Sequence, residues 1–153
     1  MSLPPSLADV QALVGLDRAD LMKRLGASEA DLHHAEYGPS DSLEAVQARP
    51  PVAGTVFLDN GRVVLVHLYR GFNPPAAPTI FGAMRPESFS AFQSGATRLR
   101  SSAGKLYNHY VAPGRGLAWS ADEEEVTSIE VFEPTDLESY KARFYEDPGP
   151  FYK

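Results

Sequence analysis

Two short stretches carry the residue types that could do chemistry. His67-Leu68-Tyr69 and Tyr107-Asn108-His109 each set an imidazole and a phenol two positions apart. On an extended strand such residues share a face. Histidine exchanges protons near neutral pH and tyrosine donates a hydrogen bond, so the set suits acid–base work or recognition of a small molecule. Trp119 lies in a third strand-like run and shares a face with Leu117, while Tyr110 points away from Tyr107 and His109. If these runs belong to one continuous sheet, His67, Tyr69, Tyr107, His109 and Trp119 line one concave surface. We expect that surface to recognise rather than to catalyse. Aromatic residues commonly pack on sheet faces with their polar tips satisfied, and exposed Tyr and Trp anchor protein interfaces.

Other chemistry is sparse. His33-His34 and Glu36 are ligand types, but neighbouring residues on a helix diverge by about 100°, so no metal site is expected there. The chain has no GxGxxG, Walker, GxSxG or HExxH pattern, and no cofactor is expected. It has no cysteine, which excludes disulfides, thiolate catalysis and iron–sulfur ligation.

The 153 residues suit one compact domain, and a 43% hydrophobic, 22% charged composition is ordinary for a globular protein. Net charge is −6, so a phosphate backbone is repelled and nucleic acid is not the expected partner. Charge is uneven: residues 85–115 hold five basic residues against one acidic, and residues 122–153 hold ten acidic against three basic. The two segments are expected to lie beside each other in the fold; the alternative is a bipolar surface that steers a charged partner, for the acidic end a basic protein. The opening MSLPPSLADVQ shows no basic or apolar leader, so a cytoplasmic protein without a membrane role is expected, or a periplasmic one if an export signal preceded it.

The elements that must position these residues are readable. Ser6 with Asp9 opens a helical stretch, Asp17 caps a second helix that Gly26 ends, and Ser28 with Asp31 opens a third short one. Residues 37–51, with Gly38-Pro39-Ser40 and Pro50-Pro51, read as loop. Val52–Leu58 and Arg62–Arg70 read as strands joined at Asn60-Gly61, the strongest short hairpin signal. The Gly/Pro-rich segment 71–82 is the best internal boundary. Beyond it a helix starts at Pro86, and strands are expected at Arg98–Arg100, Lys105–Val111, Leu117–Ala121 and Val126–Phe132. Thr135 with Glu138 then opens an amphipathic helix through Leu137, Tyr140 and Phe144. Val63–Tyr69 matches Val126–Phe132 at an offset of 63 residues. Half-repeats over 1–72 and 82–153 are therefore expected, in an α+β fold with a mainly antiparallel sheet and its helices on one face.

Gly15-Leu16-Asp17-Arg18-Ala19-Asp20-Leu21, running to Leu25-Gly26, with Phe57-Leu58-Asp59-Asn60-Gly61-Arg62-Val63, resembles small helix–helix–sheet modules. These occur in SmpA-type outer-membrane assembly lipoproteins and, in tandem, in β-lactamase inhibitor proteins. The pattern covers about 55 residues of the first half and is weaker in the second, and its residues are caps, core and turn. The lipid-attachment cysteine of the one group and the disulfides of the other are missing. The resemblance implies a sheet with one face under helices and the other free to grip a partner. The expected function is a non-catalytic protein-interaction module, such as an inhibitor or toxin-neutralising protein. The alternative is a small-molecule-binding protein or an acid–base enzyme using His67 or His109 with Tyr69 or Tyr107.

Overall fold

The computed structural model describes residues 10–47, 54–69, 95–101, 107–123 and 126–147, with the backbone alone at residue 69. Among them are two α-helices, α1 (Arg18–Leu25) and α2 (Leu137–Phe144). The strands are β1 (His33–Tyr37), β2 (Ser40–Gln47), β3 (Gly54–Asp59), β4 (Arg62–Tyr69), β5 (Thr97–Arg100), β6 (Asn108–Ala112), β7 (Leu117–Ala121) and β8 (Val126–Phe132). They form one antiparallel sheet in the order β1-β2-β3-β4-β8-β7-β6-β5. The α+β class with an antiparallel sheet is the expected one. Among the described residues no helix is long and apolar enough to cross a membrane.

The central hairpin forms where Asn60-Gly61 places it. Asn60 (φ 53°) and Gly61 (φ 77°) both adopt left-handed backbone, as a two-residue turn matching strand twist requires. Phe57 then pairs with Leu65 and Leu58 with Val63, leaving Val64 as the extra residue of a bulge. The bulge reverses the alternation. Val63 therefore joins Val66 and Leu68 on one face, while Leu65 lies on the other.

Both sheet faces are apolar enough to need a cover. On one, Val56, Leu58, Val66, Trp119, Ile129 and Val131 pack with Leu21 and Met22 of α1. On the other, Phe57, Leu65, Val111, Ala118 and Phe132 pack with Tyr140 and Phe144 of α2. The expectation of helices gathered on one face is corrected: α1 and α2 cover opposite faces. Asp17 caps α1 by accepting from the Asp20 amide at 2.8 Å, and Gly26 (φ 64°) ends it. Asp136, rather than Thr135, caps α2, accepting from the Ser139 amide at 2.7 Å.

Residues 40–47 are a strand, not loop. Gly38 (φ 54°) turns the chain between β1 and β2, and Leu43, Ala45 and Val46 are buried. His33 and His34 lie on β1, where neighbours point to opposite faces. Of the helix expected from Ser6 the described part begins at Val10: Val10 and Gln11 are helical and residues 12–15 form a turn. The helix expected from Pro86 and the boundary at 71–82 fall outside the described residues.

Gly61 and Gly116 (φ 65°) give a paired test of the turns. A Cβ at Gly61 meets open space, whereas at Gly116 it would lie 2.1 Å from the Phe132 carbonyl oxygen. Gly61→Ala should cost about 1–2 kcal/mol for its left-handed backbone. Gly116→Ala should cost clearly more in urea unfolding; equal costs would show that the backbone beside Phe132 yields freely.

Candidate functional site

Glu130 is the acidic residue in the otherwise uncharged strand Val126–Phe132. Strand β8 is flanked by β4 and β7 at the middle of the sheet, and Glu130 stands opposite His67 on one side and Ala118 on the other. Its side chain is on the α2 face and only 5% exposed. A carboxylate there must be met by donors or become neutral.

The donors come from distant parts of the chain. Tyr37, at the end of β1, lies over Phe57 (ring centroids 5.0 Å apart) and His67 (5.3 Å) and gives its hydroxyl proton to one Glu130 oxygen. Tyr140 of α2 donates to the other. His109 arrives from β6, its Nε2 2.7 Å from the Tyr140 hydroxyl and 3.4 Å from Glu130 Oε1. Its Nδ1 lies 2.8 Å from Ser120 Oγ, which accepts from Ser101 Oγ at 3.1 Å.

Hydrogen-bond arithmetic orients this chain. Tyr140 has one hydroxyl proton and gives it to Glu130, so His109 must carry a proton on Nε2 to donate to Tyr140. With the imidazole neutral, Nδ1 accepts from Ser120. The bonds then run one way, from Ser101 through Ser120, His109 and Tyr140 to Glu130. The four buried polar residues among those described, Ser101, His109, Ser120 and Glu130, all belong to this network.

The electrostatics agree with it. Burial pushes the Glu130 carboxyl up, but the hydrogen bonds of His109 and of the Tyr140 and Tyr37 hydroxyls outweigh it and hold the group below its ordinary value. Glu130 is therefore ionised at neutral pH. Burial and then the Glu130 charge push both Tyr37 and Tyr140 up, so they remain donors. Burial lowers His67, with the Glu130 charge partly opposing it. At neutral pH His67 is an uncharged base.

A cavity of about 270 Å³ opens over the network, walled by Tyr37, His67, His109, Ser120, Glu130 and Tyr140, with Arg100 and Tyr145 also on its lining. No group of three or more ligand-type side chains that could hold a metal occurs among the described residues.

Of the residues singled out in the sequence, His67 and His109 meet at this cavity. Tyr107 is half-buried and is not part of its lining. The backbone of Tyr69 pairs with Ser128, and its side chain is outside the described residues. Trp119 is corrected: it is fully buried on the opposite face, stacked on Tyr110 with centroids 5.5 Å apart. Its strand position is right, but the neighbouring position, Ala118, is the one facing Glu130. Glu130, Tyr37, Tyr140 and Ser120 were missed. A lone carboxylate inside an apolar strand was the available signal.

Comparison with protein-family models, curated proteins and solved structures returns no match. The functional reading rests on the site itself.

Two outcomes test the site. Tyr140→Phe takes one buried hydrogen-bond partner from each of Glu130 and His109 and should cost about 1–3 kcal/mol in urea unfolding; no measurable cost would mean the network is not a buried one. Stability should also fall with acid. His67 has a folded-state value below its ordinary 6.5, so the unfolded chain takes up the proton first as pH drops through that value. The stability present above it is then lost toward the lower folded-state value. His67→Gln should flatten the unfolding free energy between pH 7 and 5 relative to wild type, and an unchanged slope would contradict the assignment.

Proposed function

We propose that this protein binds a small polar molecule in the cavity over Glu130, with the carboxylate as principal acceptor. One observation carries the reading: an ionised carboxylate, ringed by donors, forms part of a cavity wall rather than a closed core. A polar network serving structure alone has no need of an adjoining cavity. A concave site with convergent polar groups and displaced pKa values is instead the usual signature of ligand binding. The protein-partner reading loses the anchor that Trp119 was to supply; the acidic segment 122–153 remains in its favour.

Acid–base turnover is the second reading, favoured by His67, a neutral base on the lining with the Tyr37 ring beside it. Its first check needs no substrate. The His67 imidazole must titrate below 6.5 by NMR, and a value at or above that removes the base.

We also read the chain as a degenerate tandem pair, in keeping with its resemblance to the helix–helix–sheet modules. Strands β1, β3 and β4 begin at residues 33, 54 and 62, and β5, β7 and β8 begin at 97, 117 and 126. The two meanders meet at the β4–β8 pair.

The binding reading is tested by titrating the protein with n-butylammonium, a minimal cationic donor, while following backbone amide shifts. Saturable shifts at Ser128–Phe132 that vanish in Glu130→Gln are expected, with far-ultraviolet circular dichroism confirming that the variant is folded. Shifts that persist in the folded variant, or none in wild type, refute the site.

A further inference from the structure

The cavity over Glu130 does not end at its rim. Arg100 and Tyr145 line both it and an adjoining groove, whose remaining lining is Arg98, Leu99, Lys141 and Asp147. The charged groups of that groove are three cations and one carboxylate. Glu146, on the cavity lining, adds a second carboxylate near the mouth. The inner end is the opposite: a buried carboxylate with His109 Nε2 3.4 Å away.

From this polarity we propose that the ligand is a small zwitterion of the amino-acid type, with its ammonium group directed to Glu130 and its carboxylate to Arg100. The inference rests on the binding reading above and adds the ligand's class. Arg100 already shows the contact expected of it. Its Nη1 holds Asp147 Oδ2 at 3.2 Å, and the two side chains are 50% and 54% exposed. A pair that open to water is weakly held, so a ligand carboxylate can take the place of Asp147 on the guanidinium, whose planar fork suits that group. Tyr145, which donates to the Arg100 carbonyl at 2.9 Å, fixes the boundary between the two compartments. The cavity, about 270 Å³, has room for a short ω-amino acid.

The experiment uses the full chain at pH 7 and four probes: γ-aminobutyrate, 5-aminopentanoate, n-butylammonium and butyrate, titrated by amide chemical shift. At least one amino acid should bind about tenfold or more tighter than n-butylammonium, the worth of one added charge-assisted contact. Arg100→Gln should remove that advantage and leave n-butylammonium unaffected, and Asp147→Asn should tighten the amino acid alone. If n-butylammonium binds as well as either amino acid, or Arg100→Gln keeps the difference, the zwitterion assignment falls while the binding site stands. Tighter binding of butyrate than of the amino acids also overturns the assignment. If none of the four moves the Ser128–Phe132 amides, both fall together.

Discussion

An ionised carboxylate inside a protein is tolerated only where donors replace the water it has lost. Glu130 imposes that requirement on the middle of this sheet. Tyr37 must cross from β1, 93 residues earlier in sequence, to supply one proton. Tyr140 supplies another, which obliges α2 to lie across the face with its second turn over β8. His109 must then carry its proton on the nitrogen facing Tyr140, and Ser120 must turn its hydroxyl to the other nitrogen. Each of these choices follows from the one before it, and all of them follow from a single acidic residue.

The two faces of the sheet solve different problems. Under α1 the core is apolar, with Trp119, Ile129 and Val131 sealed by Leu21 and Met22; it contributes cohesion by removing area from water. Under α2 an apolar base of Leu65, Val111 and Phe132 carries the polar cluster above it. The cluster lies against a low-dielectric floor, which strengthens its hydrogen bonds and raises the cost of any missing one. A rigid, specific site and a stable domain are thus kept on opposite sides of one layer.

Much of the fold was legible because its signals are local. Asn60-Gly61 names its own turn, Asp17 and Gly26 mark the ends of α1, and β8 carries a β-branched and aromatic run. Strand β2 was hidden because Ser40-Asp41-Ser42 occupies its exposed end, and only Leu43 to Val46 carries the pattern. The site was half legible. Two-residue periodicity put His67 and His109 on a common face once the sheet was continuous. It could not show that Trp119 faces away, because relative facing across strands depends on register and bulges, which no single strand records. Tyr37 and Tyr140 were invisible as site residues, since a tyrosine on an apolar stripe reads as packing until its hydroxyl has a destination.

The contact beneath Phe144 has a further consequence. Gly38 lies so close that an added Cβ would sit 2.6 Å from the Phe144 carbonyl oxygen, and Ser40 donates to the Arg143 carbonyl at 2.6 Å. The turn after β1 is thus a berth for the end of α2, and early chain waits on late chain. During synthesis Tyr37, Gly38 and Ser40 leave the ribosome about a hundred residues before α2 does, at roughly 5–20 residues per second. For those seconds the α2 face is open and Glu130, once made, has no Tyr140. Arrival of α2 covers the face and brings the Tyr140 hydroxyl to the carboxylate in one step.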